Sequence, residues 1–491
     1  MTAGTGRLTA VLGPRTRRVV YGTPGPDAVR RELTATSTVD LAHIVMLTEC
    51  GLLPGPAAAA LLDRIGRLRA DGFADLAGRD APRGLYLMYE GHLAAELGAD
   101  VGGKLHTGRS RNDLKATVTA MRLRAELLEL LGQTLRLQAA LLSRARAHDG
   151  VVMPVYTHFQ PAMPITYGYY LAGIAAALDR DVAGLGHALT GLARCPLGAG
   201  AVAGTDLPIR PERTAALLGF AAPPLHATDA VAARDTALRA LAAAACAGVT
   251  LSRLATDLQL WSTQEFGFVA FPERLVGGSS AMPQKRNAFL LEHVKAKASA
   301  AVGAWTTAAS AMKSTPFTNS IEVGTEAVAA VWPALAEVRD AVLLAQVLVT
   351  GARPVPERME RRAKEGFVTA TALANRLVAR GVPFRTAHHV VGAAVREAVD
   401  SGADELTKLT PPDGVPLDAG GELPPLPRVV ADHDRGGGPG ASAAVVAELR
   451  QRLVGHAAWL SSRRARLRDA EGDLAATVAD VVARYGTGGT A

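Results

Sequence analysis

The sequence predicts an all-α protein built around a bundle of unusually long helices. The 491-residue chain is 48% hydrophobic but only 4% aromatic, and it is rich in alanine, leucine, arginine and glutamate, which favour helix. Apolar residues recur at three- and four-residue intervals over several stretches of about 30 residues. Helices of that length need partners along their whole apolar stripe. A bundle, extended by association of several chains, supplies them.

The pattern divides the chain into three predicted domains. Residues 1–110 read as short helices with Gly/Pro breaks at 23–26 and 53–56. Residues 111–354 form the predicted central bundle, and residues 355–491 form a third helical region interrupted by a Pro/Gly-rich loop at 410–440. The expected long helices of the bundle lie at about 113–147, 165–192, 233–262, 290–312 and 322–350, with a proline-containing loop at 149–164.

Composition excludes several classes of function. The net charge is +7, but the basic clusters lack interleaved aromatic residues and match no nucleic-acid module, so we expect no nucleic-acid partner. The chain lacks an uninterrupted apolar run of membrane-spanning length, and its arginine-rich start does not resemble a secretory signal. We therefore expect a cytoplasmic protein without a membrane partner. The three cysteines have no metal-ligand spacing and are expected to be reduced thiols, with no metal and no cofactor.

The most informative segment is the serine loop, residues 276–288, which contains the run GSSAMPQKRN. Two glycines allow the backbone to bend, and Ser279 and Ser280 supply hydroxyl groups. Lys285 and Asn287 come just before an apolar pattern that predicts a long helix. A cation, amide donors and the positive end of a helix dipole together suit an anionic substrate.

A second polar segment, HTGRSRND at 106–113, opens the first long helix. Ser110 and Asn112 can donate hydrogen bonds, and Arg109 or Arg111 can hold a carboxylate with two parallel bonds. The same residues also fit an N-terminal helix cap with surface arginines, in which Ser110, Asn112 or Asp113 is the cap. The residues by themselves favour neither interpretation.

A third segment, THFQPAMP at 157–164, comes before the second long helix. A histidine between Thr157 and Gln160 in a proline-stiffened loop suits acid–base chemistry. Glu292, five residues after Asn287, is a candidate carboxylate partner for His158, although a single glutamate on a helix is more often an ordinary surface charge.

Together these three segments resemble those of argininosuccinate lyase, a member of the fumarase/aspartase superfamily. Two more stretches support the resemblance: residues 196–205 (PLGAGAVAGT), and Asp229-Ala-Val with Arg234-Asp235. The resemblance implies an all-helical, three-domain fold and a homotetramer whose subunits share a twenty-helix core. It also implies active sites that draw on three subunits, and release of fumarate from a substituted succinate, a small dicarboxylate.

The resemblance assigns roles to individual residues. Ser279 is expected to be the base that removes a proton from the carbon beside a carboxylate, with Lys285 and Asn287 holding the negative charge that develops. His158, paired with Glu292, is expected to assist as general acid. The expected substrate-binding residues are Ser110, Arg111, Asn112, Thr157, Gln160, Ser280, Met282, Asn287, Arg234, Asn319 and Asp40.

The sequence departs from the family pattern on the side that would hold the arginine half of argininosuccinate. Asp40 stands where a serine is expected, and the Glu-Asp-Ile-His run is replaced around residues 84–87. Asn319 lies near the place of a tyrosine, with no glutamine or lysine shortly after it. A site that has lost partners for a buried polar group binds that group poorly. We therefore expect a different leaving group, and we expect Asn319→Tyr with Asp40→Ser to improve argininosuccinate binding. Asp40 could pair with the leaving group or merely cap a first-domain helix.

Three alternatives stay open. The chain could be a true argininosuccinate lyase with a rearranged guanidinium pocket, a cycloisomerase of the same superfamily, or a structural relative without activity. The last is disfavoured because a scaffold does not need the residues that are retained together: Ser279, Lys285, Asn287, Thr157 and His158.

Overall fold

The computed structural model describes residues 10–406, 408–410, 424–433 and 435–486. The first helices surround a small core of their own. They are α1 (Pro14–Tyr21), α2 (Pro26–Glu49), α3 (Gly55–Ala70), α4 (Leu85–Leu97) and α5 (Ala99–Gly102).

The central region is a bundle of long helices, as predicted. Its helices are α6 (Arg111–Ala147), α7 (Tyr167–Thr190), α8 (Pro211–Leu217), α9 (Ala227–Ala232), α10 (Asp235–Trp261), α11 (Phe289–Ala298), α12 (Ala300–Met312), α13 (Ala327–Ala329) and α14 (Val331–Gly351). A π-helical turn, Glu322–Glu326, leads into α13. The predicted helix at 290–312 is divided at Ser299 into α11 and α12.

The remaining helices are α15 (Pro356–Glu365), α16 (Ala370–Ala379), α17 (Phe384–Asp400), α18 (Leu426–Ala431) and α19 (Pro439–Tyr485). Helix α19 does not stay with its sequence neighbours, because it packs against α6 and α7 of the bundle and against α3 of the first region. The division at residue 355 stays a prediction. The predicted loop at 410–440 lies outside the described residues at 411–423 and at 434. In the rest of it the expectation is partly wrong, because α18 occupies Leu426–Ala431 and α19 begins at Pro439.

Helix α6 is the longest helix of the central bundle, and its sequence explains its stability. Its leucines recur on one stripe and are buried: Leu114, Leu123, Leu127, Leu128, Leu130, Leu131, Leu135, Leu137, Leu141 and Leu142. Each buried leucine side chain contributes about 1.5–3 kcal/mol of transfer free energy. The stripe packs against α7, α14 and α19, so α6 is the axis around which the other long helices assemble.

One expectation about local structure is wrong. The predicted loop at 149–164 is largely a β-hairpin, in which β1 (Val152–Thr157) pairs antiparallel with β2 (Gln160–Thr166). Its three prolines favoured the prediction of a loop, because proline disfavours the interior of a sheet. A two-stranded ribbon tolerates them on its open edges. A second short pair, β3 (Val269–Ala270) with β4 (Arg353–Pro354), ties the end of α14 to the segment after α10.

Several central helices keep apolar side chains exposed in the single chain. Val249 on α10, Val302 and Trp305 on α12, and Leu343 and Val347 on α14 are each between 39% and 53% exposed. Helix α10 is also long and apolar enough to cross a membrane by length and composition. It packs, however, against α7, α11, α12 and α14. Its open face is continuous with a bundle surface that has no cover within one chain's described residues.

The close contact between α10 and α11 depends on Gly248. A Cβ atom built there would lie 2.3 Å from the carbonyl oxygen of Ala298, whereas a Cβ at Gly66 of α3 would meet nothing within 4 Å. We expect Gly248→Ala to lower the free energy of unfolding by about 1–3 kcal/mol through overpacking. Gly66→Ala should raise it by about 0.5–1 kcal/mol through helix propensity. Urea denaturation of both variants checks this, and equal effects would contradict the tight packing at Gly248.

Candidate active site

The serine loop is closed at its base by backbone hydrogen bonds. The N–H of Gly277 donates to the carbonyl of Asn287 at 2.9 Å, and the N–H of Asn287 donates back at 2.8 Å. At the tip, the Ser279 Oγ accepts hydrogen bonds from the N–H groups of Ala281 (3.3 Å) and Met282 (3.0 Å). Donors aimed at a hydroxyl oxygen favour its deprotonated form. These are the local hydrogen bonds of a serine turn, and they also aim two donors at the hydroxyl oxygen.

The other loop residues are open to solvent in the single chain. Ser280, Met282 and Lys285 are exposed, and Asn287 is half-buried with its amide directed at the carbonyl of Gly278. Glu292, on the first turn of α11, is exposed and accepts a hydrogen bond from Gln259. The loop thus presents its chemical groups outward.

The amino end of α6 forms a second cluster of predicted residues. Ser110 is the helix cap, and Asp113 completes a capping box. The Asp113 carboxylate also accepts hydrogen bonds from the N–H groups of Gly198 and Gly200, at 3.1 and 2.9 Å. A single buried carboxylate thereby joins the start of α6 to the glycine-rich turn. Arg111 is exposed beside this cluster.

Asn319 comes to the same place from far along the chain. Its Nδ2 donates to the Oδ1 of Asn112 at 3.2 Å, and the Nδ2 of Asn112 donates to the carbonyl of Ala201 at 3.1 Å. Asn112 and Asn319, two of the predicted binding residues, are thus in contact within one chain.

The β1–β2 hairpin carries the third cluster at its tip. His158 and Phe159 both have positive φ, 52° and 62°, as a tight two-residue hairpin turn requires. That conformation is strained for a phenylalanine. Thr157, His158 and Gln160 are exposed, and Phe159 is 86% exposed. The tip therefore projects away from its own chain.

The clusters lie at two opposite ends of the bundle. Helix α6 has 37 residues, so its ends are about 55 Å apart. Ser110, Asn112 and Asn319 are at its beginning, and the hairpin follows its end. The segment leading to the serine loop is at the hairpin end, because Tyr156 packs on Phe266 and Phe268. A small dicarboxylate cannot touch both ends of one chain.

Two pockets of the single chain are lined by other residues. One lies between α6 and α19 around Arg124, Trp459 and Arg463, and the other is an apolar gap between α10, α11 and α14. Among the described residues no hydrogen bond or ion pair joins His158 to Glu292. Both observations fit a site that only several chains complete.

Comparison with known proteins identifies the family. A family profile described as Lyase matches residues 88–303, and one described as Argininosuccinate lyase C-terminal matches residues 367–414. The argininosuccinate lyase of Methanoculleus marisnigri is 35% identical over 471 residues, covering 94% of this chain and 96% of that protein. The chain belongs to the argininosuccinate lyase family. It is a carbon–nitrogen lyase of the fumarase/aspartase superfamily.

Further relatives and solved structures are consistent with this family assignment. The argininosuccinate lyase of Thermus thermophilus is 38% identical over 84% of this chain and 92% of that protein. Among solved structures, EDDS lyase in complex with formate superposes with a TM-score of 0.84 at 29% identity, covering 99% of both chains. The class II fumarase of Schistosoma mansoni, 16% identical over 78% of this chain and 86% of that one, shares the fold with a TM-score of 0.66.

One predicted binding residue of this lyase is in a different place from the one expected. Asp40 is fully buried, and its Oδ1 lies 2.6 Å from the Nη2 of Arg109, whose side chain is also fully buried. The interpretation of Asp40 as a substrate or leaving-group residue is wrong, and so is the alternative that it caps a helix, because it lies in the interior of α2. Asp40→Ser would leave Arg109 as an uncompensated buried charge, so that change should not improve argininosuccinate binding.

Arg234 is likewise buried, with only 6% of the residue exposed. Its Nη1 donates to the carbonyls of Val231 and Ala233 at 2.8 and 2.7 Å. It fixes the turn between α9 and α10, and within the chain it does not reach the open surface where a substrate would bind.

Arg109, one of the two arginines considered as a clamp for a substrate carboxylate, is instead buried beneath the Ser110 cluster. Sequence reasoning missed the polar groups that surround it. Arg109 donates to the hydroxyl of Tyr86 at 3.0 Å, and that hydroxyl lies 2.9 Å from Nδ1 of His106. His43 Nε2 lies 2.8 Å from the carbonyl of Thr107. The signal was present as the altered run at 84–87 and the Asp40 substitution, but only folding reveals that both face Arg109.

The pKa of His106 is lowered from 6.5 to about 4. Burial is the main cause, and the positive charges of Arg109 and Arg111 add to it. The unfolded chain therefore binds one more proton than the folded chain between those pH values, and stability is lost as pH falls from about 6.5 toward 4. We expect wild type to lose more stability across this window than His106→Gln. Burial also raises the pKa of nearby Glu90, which is present in both proteins and largely cancels in the comparison.

Urea denaturation at several pH values between 4 and 7 measures the difference. The exposed His187 on α7 supplies the control variant His187→Gln, which should follow wild type. Parallel profiles for wild type and His106→Gln would contradict the buried neutral histidine.

Proposed function

We propose that this lyase catalyses anti β-elimination of fumarate from an N-substituted aspartate, or the reverse addition of an amine to fumarate. The observation that carries the proposal is the serine loop. It combines a hydroxyl that accepts two backbone N–H bonds with Lys285 and Asn287 a few residues away. The proposal is also supported by the relatives named argininosuccinate lyase and by the EDDS lyase structures, one of which, a variant, has bound fumarate.

The proposed chemistry begins with proton removal. Deprotonated Ser279 takes the proton from the carbon beside a substrate carboxylate, and the electron pair moves into that carboxylate as a dianion. Lys285 and Asn287 stabilise this dianion, which is the main catalytic requirement because the proton is very weakly acidic. The carbon–nitrogen bond then breaks to leave fumarate. His158, oriented by Glu292 of another chain, gives the departing nitrogen its proton.

The proposed active unit is a homotetramer with shared sites. Three facts support association: exposed apolar side chains on α10, α12 and α14, a hairpin that projects His158 outward, and the separation of about 55 Å along α6. In this arrangement Ser110, Arg111 and Asn112 of one chain meet Thr157, His158 and Gln160 of a second and the serine loop of a third. The cytoplasmic location stays a prediction.

We propose that the leaving group is not the arginine of argininosuccinate, and that the reaction belongs to specialised metabolism. Asn319 supports this, because its short amide is engaged by Asn112 where the family has a tyrosine. The runner-up is true argininosuccinate lyase, which the relatives at 35–38% identity favour. A superfamily cycloisomerase and an inactive structural relative are two further alternatives that the same assay separates.

A screen of N-substituted aspartates, including argininosuccinate, tests these functions by the ultraviolet absorbance of fumarate. We expect turnover of about 1–1000 per second on a substrate other than argininosuccinate. Such a rate on argininosuccinate would establish the runner-up. A lactone product without fumarate would indicate a cycloisomerase. No turnover of any substrate, either in elimination or in addition to fumarate, would indicate the inactive structural relative.

Ser279→Ala should remove nearly all turnover and leave the fold intact, because it deletes the base from a surface loop. Activity is measured on the substrate found in the screen, and folding by circular dichroism and light scattering. Gln284→Ala changes an exposed residue of the same loop that has no assigned role, so it is the control and should retain far more activity. A well-folded Ser279→Ala enzyme with normal turnover would refute the assigned base.

Shared sites predict that two inactive variants can repair each other. Asn112→Ala and Ser279→Ala alter opposite ends of the chain, so mixed tetramers contain some sites with neither change. We expect activity to return when the two variants are unfolded together and refolded as a mixture. The pair Ser279→Ala and Lys285→Met alters a single loop and should not recover. Equal behaviour of the two mixtures, or an active monomer by light scattering, would refute shared sites.

A further inference from the structure

Two departures from the family pattern meet on one buried arginine. Asp40 replaces the expected serine in the first domain, and Tyr86 lies in the altered run at 84–87. In the fold the Nη2 of Arg109 is 2.6 Å from Asp40 Oδ1 and 3.0 Å from the Tyr86 hydroxyl. Although 46 positions separate them in sequence, the two residues share one partner. The departures therefore form a single structural unit.

One hydrogen-bond direction in this unit follows from its chemistry. Arg109 can only donate, so the Tyr86 oxygen accepts from it. The Tyr86 hydroxyl and Nδ1 of His106, 2.9 Å apart, share a hydrogen bond whose direction depends on the histidine tautomer, and Nδ1 also lies 3.7 Å from a carboxylate oxygen of Glu90. The polar contacts therefore run without a break from Asp40 through Arg109 and Tyr86 to His106.

This chain of bonds holds the segment that leads into α6. His106 and Arg109 are both in that segment, and His43 adds a third attachment by donating from Nε2 to the carbonyl of Thr107 at 2.8 Å. Ser110, the next residue, is the cap of α6. Because these attachments lie within four residues of Ser110, they hold the backbone that leads to it. The side chain of Asn112 itself bonds to the carbonyl of Ala201 and to Asn319.

We propose that Asp40 and Tyr86 are positioning residues that act through Arg109 to orient Ser110 and Asn112 toward a substrate carboxylate. This proposal rests on the proposed function, because it requires that Ser110 and Asn112 bind a dicarboxylate. On this basis the first-domain departures maintain the carboxylate end of the site, and they do not select the leaving group. Selection of the leaving group is left to the surroundings of Asn319.

The test compares a variant that weakens a contact of buried Arg109 with one that removes the contacts of half-buried Arg69. Tyr86→Phe removes one hydroxyl from the chain of bonds and keeps the ring. Arg69→Gln is the matched control, because Arg69 bonds to Thr34, Ser37 and Thr38 of α2, the helix that carries Asp40, and not to residues 106–112. Fumarate is the probe, with its dissociation constant measured by calorimetry on the full-length protein.

Wild type must first bind fumarate; if it does not, the proposed function fails, and the positioning proposal fails with it. Given binding, we expect Tyr86→Phe to weaken fumarate about 5- to 10-fold, a loss of about 1–1.4 kcal/mol. It should raise KM by a similar factor and change kcat less than twofold. The pH profile of turnover should be unchanged, because Ser279 and His158 are untouched. Arg69→Gln should bind fumarate as wild type does, even if its melting temperature is lower.

A Tyr86→Phe enzyme with wild-type fumarate affinity would overturn the proposal while leaving the lyase function standing. Equal weakening in Arg69→Gln would also overturn it, since the effect would then be a general loss of stability. Asp40→Asn, alone and with Tyr86→Phe, adds a double-mutant cycle. The two effects on fumarate affinity should be non-additive because they share Arg109. If Asp40→Asn does not fold, the Tyr86→Phe and Arg69→Gln comparison decides the question.

Discussion

The length of α6 is the constraint on which the rest of the molecule depends. A continuous helix of 37 residues keeps its two ends about 55 Å apart. One end carries the cap that would bind a carboxylate, and the chain beyond the other end makes the hairpin with His158. The same length demands long partners, and within one chain α6 packs against α7, α14 and α19. The exposed apolar faces of the bundle and the incompleteness of the candidate site follow from this one dimension.

Backbone N–H groups supply many of the hydrogen-bond donors near both ends of α6. At the Ser110 end, Asp113 gathers N–H groups from Ser110, Gly198 and Gly200 around one buried carboxylate. At the other end, two N–H groups point at the hydroxyl of Ser279. Groups held by the backbone need little reorganisation when charge develops. These two bonds are what supports the proposal that Ser279 acts as the base.

The buried position of Asp40 changes the interpretation of how this chain departs from the family pattern. From the sequence, Asp40 and Asn319 looked like two parts of an altered leaving-group pocket. In the fold they are separate: Asn319 reaches Asn112 at the surface, while Asp40 is buried against Arg109. A buried carboxylate with its partner arginine cannot face a ligand. Under the proposed function, only the Asn319 side would select the leaving group, and Asp40 would belong to the support beneath Ser110.

The sequence by itself determined the helical class, the long helices and the family, because leucine periodicity and the three polar segments are local signals. It also indicated the residues around Ser279, Ser110 and His158 as candidates, since their motifs are contiguous. Only the tertiary structure decided that residues 152–166 form a hairpin, that α19 returns to α3 and α6, and that Asp40 pairs with Arg109. Those outcomes depend on partners distant in sequence, and burial of a charge becomes visible only when the residue that neutralises it is brought alongside.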